Sequence, residues 1–121
     1  MTDVLVIENS QKLADILAKS LLLAGFSVDV AVGFNEGMTK LCDRQYQVIV
    51  INPFFRDGSA DDLLEMLRNE NMLSRVLVCS ADPERVRRSI EHGIMAVSKP
   101  ITCLHLGQLI NHMVRTAAIQ A

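Results

Sequence analysis

Residues 48 to 58 read VIVINPFFRDG. A run of β-branched residues from Val48 to Ile51 leads directly into Asn52, and the chain then turns through Pro53 and Gly58. A short apolar run of this kind is typical of a strand buried on both faces of a parallel sheet. Open α/β sheets bind ligands at the carboxyl ends of their strands. We therefore expect Asn52, a neutral amide, at the functional edge.

The rest of the chain alternates between strand-like runs and segments of helical period. Strands are predicted at 3–7, 26–32, 47–51, 75–80 and 95–98. Helices are predicted at 11–24, 35–43, 60–69, 83–92 and 102–115, with Ser59 and Asp82 as N-caps and with Gly25 and Gly93 at helix ends. This order predicts a flavodoxin-like (βα)5 fold, a doubly wound five-stranded parallel sheet with helices on both faces. We expect one domain over 1–121, with its core at about 3–117.

The helical period also predicts which side chains face the core. The expected set is Leu13, Ile16, Leu17, Leu21 and Ala24 in the first helix, Ala60, Leu63, Leu64 and Leu67 in the third, and Leu106, Leu109, Ile110 and Met113 in the last.

The three cysteines, Cys42, Cys79 and Cys103, are widely spaced in apolar surroundings. We interpret them as small buried hydrophobes, because neither a disulfide framework nor a metal knuckle has this spacing.

Composition excludes several classes of function. The chain has 121 residues, half of them apolar, and 12 basic against 14 acidic residues give a net charge of −2. Such a balance does not favour contact with nucleic acid or an anionic membrane. The first residues lack a basic region, and no apolar run approaches the roughly 18 residues of a spanning helix. We expect a cytoplasmic location.

Polar residues follow the predicted strands at equivalent positions. Glu8 and Asn9 follow the first strand, Asn52 the third, Ser80 the fourth and Lys99 the fifth. Because the carboxyl ends of parallel strands lie along one edge of the sheet, these side chains are expected to converge on one crevice. They constitute the predicted pocket.

Four short motifs at these strand ends carry a resemblance to a known family. In chain order they are VLVIEN, INPFFRDGS, VLVCSA and SKP. Together they resemble the receiver domain of bacterial two-component response regulators, over about residues 3 to 117. The resemblance implies a site in which an Asp accepts a phosphoryl group and Mg²⁺ is held by that Asp and an acidic pair. It further implies that a lysine and a hydroxyl contact the phosphoryl oxygens.

Two departures from that pattern fall on the pocket itself. Asn52 stands at the phosphoacceptor position and Asn9 in the place of the second acid, so the charges of Glu8 and Lys99 cancel. An amide is a poor nucleophile, and we expect no phosphorylation of Asn52. One carboxylate and two amides predict weak or absent Mg²⁺ binding, and no other cofactor is expected. Deamidation of Asn52 is disfavoured because Pro53 has no N–H. Lys99 is expected to pair with Glu8 or with the Asn52 side-chain oxygen.

A third departure concerns the switch and the partner surface. Receivers typically carry an aromatic residue three positions before the lysine, and here that residue is Ala96. The resemblance implies an interaction face on the fourth helix, fifth strand and fifth helix, comprising Arg87, Arg88, Glu91, His92, Met95, Ala96, His105 and His112. The alternatives to a role in partner binding are that the arginines only form a solvated face of their helix and that the histidines are ordinary surface residues. Phe54 and Phe55 are either an exposed anchor or a cover over the crevice.

Three classes of function follow. The first is an atypical receiver that is not an enzyme and acts in signal transduction through phosphorylation-independent contacts with proteins of a two-component or related pathway, including a homodimer. The second is a receiver phosphorylated unconventionally, for example on Asp57. The third is a small-ligand or nucleotide binder of flavodoxin-like fold, which is disfavoured because ENSQKLAD, after the first strand, offers no glycine for a phosphate. We favour the first, and the sequence leaves open whether the chain is a fragment of a longer protein.

Overall fold

The computed structural model describes the backbone of residues 2–120, with side chains to residue 116, and shows the predicted alternation of strands and helices. The strands are β1 (Thr2–Glu8), β2 (Val28–Val32), β3 (Tyr46–Ile51), β4 (Val76–Ser80) and β5 (Met95–Ser98). The helices are α1 (Gln11–Leu23), α2 (Phe34–Asp43), α3 (Ala60–Asn69), α4 (Pro83–Glu91) and α5 (Cys103–Gln120). A short 3₁₀ turn, Leu73–Arg75, precedes β4 and was not predicted. Met1 and Ala121 of the predicted domain lie outside the described residues.

All five strands belong to one parallel sheet with the order β2-β1-β3-β4-β5. The register places Ile7 of β1 opposite Ala31 of β2 and Ile51 of β3. The chain runs outward from β1 to β2 and then returns to the other side of β1, so the order reverses between β1 and β3. That reversal opens a crevice at the carboxyl ends of these two strands. The predicted α/β fold is confirmed.

The central strand explains why the 48–51 run is apolar throughout. Successive side chains of a strand point to opposite faces of the sheet, and here both faces are covered by helices. Ile49 and Ile51 pack with Leu63 and Leu67 of α3 on one face. The other face holds Val48, Val50, Leu21, Leu77, Leu106 and Ile110. The residues expected to be buried in α3 are all buried.

The first helix departs from the predicted pattern of burial. Ala14 and Leu21 are buried, but Leu13 is 50% exposed and Ile16 52% exposed, and Ala24 is also exposed. The helix carries apolar residues on more of its circumference than the sheet covers. Helical spacing identified one apolar face of α1 correctly but overestimated how much of it the sheet buries.

Two of the three cysteines are also placed differently from the prediction. Cys79 in β4 is buried, whereas Cys42 and Cys103 are exposed at the surfaces of α2 and α5. Burial raises the pKa of the Cys79 thiol to about 11. The interpretation as buried hydrophobes is therefore right for Cys79 and wrong for the other two, because residues that follow the apolar spacing at the edge of a helix face need not reach the core.

A hydrogen-bonded cluster closes the amino-terminal edge of the sheet. Tyr46 is fully buried, and its hydroxyl donates to Asp29 Oδ2 over 2.7 Å. Arg44 approaches the same oxygen at 3.3 Å, and Arg75 donates to the Tyr46 carbonyl oxygen over 3.1 Å. Burial, together with the hydrogen bond to Asp29, raises the pKa of Tyr46. The cluster joins β2 and β3 to the turn before β4.

Tyr46→Phe tests the importance of this cluster. We expect the substitution to lower the free energy of unfolding by about 1 to 2 kcal/mol, because the hydrogen bond to a carboxylate is lost. Arg44→Ala is the control: its side chain is 62% exposed, and such ion pairs contribute only about 0 to 1 kcal/mol. Urea unfolding at neutral pH measures both. An equal loss in the two variants would contradict the assigned role of the tyrosine.

Candidate functional site

The crevice brings together side chains from three strand ends. Glu8 is the last residue of β1 and is 5% exposed. Asn52 follows β3, where its backbone N–H donates to the Ile7 carbonyl oxygen. Its side-chain Nδ2 donates to Glu8 Oε1 over 2.9 Å. Lys99, just after β5, places Nζ 3.8 Å from Glu8 Oε2. Glu8 thus lies at the centre of the site.

The chemistry of Glu8 determines how Asn52 is oriented. An ionised carboxylate only accepts hydrogen bonds, so the amide must present its NH2 group to Glu8. Of the two partners expected for Lys99, the structure shows Glu8. The separation of 3.8 Å is an ion pair but exceeds hydrogen-bonding distance. The three side chains form a neutral cluster, which we call the Glu8 cluster.

The other two residues of the predicted pocket bond to neighbouring loops. Asn9 Oδ1 accepts from the backbone N–H of Arg56 over 3.3 Å, in the loop after β3. Ser80 is buried, and its Oγ accepts from the backbone N–H of Asp82 over 3.0 Å, at the start of α4. These two side chains therefore shape the loops on either side of the crevice.

Asp57 has a role that the sequence analysis missed. Its Oδ1 accepts from the backbone N–H of Phe34 over 2.7 Å and its Oδ2 from that of Asn35 over 3.0 Å. These groups begin α2, whose N-cap Gly33 has a φ of 92° and supplies no side-chain oxygen. The two hydrogen bonds lower the pKa of Asp57. A loop carboxylate distant in sequence thus caps the helix.

The aromatic residues of the same loop reinforce this contact. Phe55 packs on Phe34 with ring centroids 6.4 Å apart and an interplanar angle of 60°. A side chain at Gly58 would collide with the Phe34 ring, so that position requires glycine. Phe54 is exposed. Of the two alternatives for this pair, Phe55 packs within the fold and Phe54 remains free at the surface.

The predicted interaction face divides into two parts. The Arg87 guanidinium contacts Glu84, and its Nη1 atom lies 2.5 Å from Glu91 Oε1 on the same helix. Both carboxylates raise the pKa of Arg87. Arg88 and His92, by contrast, line a cleft of about 240 Å³ between α4 and α3. Helical geometry places Arg87 and Glu91 on one side of α4 and Arg88 and His92 on another, although the predicted interaction face includes all four.

The remaining residues of that face lie on α4, β5 and α5. Met95, His105 and His112 are exposed, and Ala96 is partly buried against the core. Ile90 of α4, which the sequence analysis did not include, is 57% exposed. Its spacing of three residues from Arg87, which puts both on the same side of α4, is the sequence signal that could have added it.

Among the residues whose side chains are described, no group of three or more His, Cys, Asp or Glu residues is placed to hold a metal ion. None of the described helices is long and apolar enough to cross a membrane.

Comparison with known proteins shows which fold this is. No protein-family model matches the chain, and no curated protein matches it. Solved structures do match. The receiver domain of the Francisella response regulator 1452 is 23% identical, with a TM-score of 0.86 and coverage of 97% of this chain and 99% of that one. A response regulator receiver domain protein from Clostridium thermocellum is 17% identical, with a TM-score of 0.89 and full coverage of both chains. One from Methanospirillum hungatei is 16% identical, with a TM-score of 0.88 and coverage of 100% and 99%.

The chain therefore belongs to the structural class of doubly wound α/β domains, and its crevice lies where the strand order reverses between β1 and β3. Within that class, the chain has the fold of response regulator receiver domains, as the motifs at its strand ends predicted.

Asp57→Asn tests the helix cap. An amide oxygen can replace only part of this contact and carries no charge, so we expect a lower melting temperature at pH 7. The folded-state pKa of Asp57 is lowered, so its stabilising effect is present above the unfolded pKa and disappears as pH falls through the folded value. The difference between wild type and variant should therefore shrink in acid.

Thermal unfolding between pH 7 and pH 3 measures this effect. Asp62→Asn is the matched control, because Asp62 is an exposed acid in the first turn of α3. A pH-independent difference, or an equal effect of Asp62→Asn, would rule out the cap as its cause.

Proposed function

We propose that this chain is an atypical receiver domain that acts in signal transduction through protein contacts, without phosphorylation of Asn52 and without a bound metal. The observation that supports it most directly is the hydrogen bond from Asn52 Nδ2 to Glu8 Oε1. This bond occupies one oxygen of the Glu8 carboxylate, and the amide that makes it is a poor nucleophile at the position where an ordinary receiver has an aspartate. The proposal includes no enzymatic activity.

Charge supports the same conclusion. Phosphoryl transfer to a carboxylate depends on positioning and on neutralisation of charge, commonly by Mg²⁺. In the Glu8 cluster the one carboxylate already has a lysine and an amide as partners. Asn9 directs its side-chain oxygen to the loop after β3. A magnesium ion would have to displace these contacts and would gain one charged ligand, so we expect weak binding at best.

Asp57 is a poor alternative acceptor for a phosphoryl group. Both of its oxygens accept backbone hydrogen bonds from the start of α2. Formation of an acyl phosphate there would break these bonds, and the lowered pKa indicates a less basic, less nucleophilic carboxylate. We therefore retain phosphorylation-independent contact as the mechanism.

Treatment with a phosphodonor tests the proposal. Incubation with acetyl phosphate and Mg²⁺ should add no phosphoryl mass to the wild-type chain. Millimolar Mg²⁺ should leave its melting temperature unchanged, because a ligand bound by the native state would raise it. Intact-mass spectrometry and thermal unfolding are the measurements. A stoichiometric adduct, or a saturable rise in melting temperature, would contradict the proposal.

Restoring carboxylates gives the complementary experiment. Asn52→Asp alone should lower the free energy of unfolding by about 1.5 to 3 kcal/mol, because a hydrogen bond to Glu8 becomes a contact between like charges. In the double variant Asn52→Asp with Asn9→Asp, stabilisation by Mg²⁺ should be recovered before phosphorylation is. Asn69→Asp, an added charge at an exposed position of α3, controls for net charge.

The proposed partner surface follows from exposure. Ile90 on α4 and Met95 on β5 are large apolar side chains that the fold leaves exposed, and His105 is exposed on α5. We call Arg87, Ile90, Glu91, Met95 and His105 the β5 face. The proposed partners are proteins of a two-component or related pathway, including a second copy of this chain. Because residue 96 is an alanine, no large aromatic side chain at that position has to move before contact.

Sedimentation equilibrium tests the homodimer. Ile90→Glu combined with Met95→Glu should weaken self-association at least about tenfold, because burying each apolar side chain contributes about 1.5 to 3 kcal/mol. Arg88→Glu changes the cleft toward α3 and should leave association unchanged. A wild-type chain that stays monomeric at high concentration, or equal effects of the two variants, would contradict dimerisation through the β5 face.

A further inference from the structure

An apolar groove lies between α1 and α5 and leads to the Glu8 cluster. Leu13 and Ile16 of α1 form one wall, Ile101 and Leu106 form the other, and Glu8 and Lys99 lie at its floor. Its volume is about 510 Å³. Sites for small molecules in proteins are commonly clefts of about 300 to 1,000 Å³, with mostly apolar walls and a few polar groups that orient the ligand. We call this feature the α1–α5 groove.

The walls explain an otherwise unfavourable feature of α1. Leu13 and Ile16 are about half exposed although they follow the apolar period of the helix. Apolar side chains that line a cleft can be covered by the apolar part of a bound molecule. The Cys79 thiol, also in the lining, stays protonated because burial raises its pKa to about 11. The groove is therefore uncharged except at its floor.

The floor presents one open acceptor and one open donor. Glu8 Oε1 already accepts from Asn52, whereas Glu8 Oε2 lies 3.8 Å from Lys99 Nζ, too far for a hydrogen bond. The Lys99 side chain is 33% exposed. A group that accepts from Lys99 and donates to Glu8 would bridge this gap. A carboxylate would be attracted by Lys99 but repelled by Glu8, and an ammonium the reverse, so a charged head gains little net attraction in return for the water that it loses.

We infer that the α1–α5 groove binds a small amphipathic molecule with an aliphatic chain and an uncharged head that both donates and accepts hydrogen bonds, such as a primary amide. The aliphatic chain lies between α1 and α5, and the head group lies between Glu8 and Lys99. This inference goes beyond the proposed signalling function and does not depend on it, because it rests on the shape of the groove and on the pairing at its floor.

Three probes with one chain length and different head groups test the inference. Octanamide should bind saturably to the full chain, with the largest NMR shifts at Leu13, Ile16 and Lys99. Octanoate and octylammonium should bind at least about tenfold more weakly, because the charged head loses water while its attraction to one residue of the pair is offset by repulsion from the other. Hexanamide should also bind about tenfold more weakly than octanamide, because two methylene groups are lost.

Substitutions locate the site. Ile16→Lys should weaken octanamide binding at least about tenfold, whereas Leu23→Lys, a matched change at an exposed position of α1, should leave it unchanged. Lys99→Met removes the positive charge beside Glu8 and should reverse the order of the probes, so that octylammonium binds more tightly than octanamide. Circular dichroism checks that each variant is folded.

Three results would overturn the inference. The first is the absence of saturable octanamide binding by the wild-type chain. The second is equal binding by the Ile16→Lys and Leu23→Lys variants. The third is equal affinity for all three head groups, which would show that Glu8 and Lys99 do not select the head of the ligand.

Discussion

The hydrogen bond between Asn52 and Glu8 is the contact on which the site depends. A carboxylate that is almost fully buried is costly unless it is paired and hydrogen-bonded. Here the amide of Asn52 bonds to one oxygen and the ammonium group of Lys99 lies near the other. The residue type at the end of β3 therefore sets the charge of the crevice. The cluster is therefore formally neutral, and two of its members, Glu8 and Lys99, also line the α1–α5 groove.

The strand ends were predictable because their placement follows from topology. A parallel sheet with regular alternation sets the carboxyl ends of its strands along one edge, so Glu8, Asn52 and Lys99 could be grouped from the sequence alone. The directions of neighbouring side chains were not predictable in the same way. Asn9 and Ser80 bond to loops, and their geometry depends on turns that single-sequence patterns do not specify.

The limits of periodicity account for the other differences. A helical repeat identifies an apolar stripe but not the width that neighbouring elements cover, and this is why Leu13 and Ile16 were wrongly expected in the core. Similarly, Arg87 and Arg88 are adjacent in sequence, yet a rotation of about 100° per residue sends them to different sides of α4. Contacts between distant segments, such as Asp57 with α2, leave almost no local signal apart from a missing cap at Gly33.

The contact between Asp57 and α2 has a consequence for local unfolding. The first backbone N–H groups of a helix have no partner within it, and in α2 two of them donate to a residue of the loop after β3. The tilted contact between the rings of Phe34 and Phe55 joins the same two segments. Opening that loop would expose the start of α2 to solvent at the same moment. Backbone amides of Phe34 and Asn35 should therefore exchange with solvent together with the loop, as one cooperative unit, although more than twenty residues separate them in sequence.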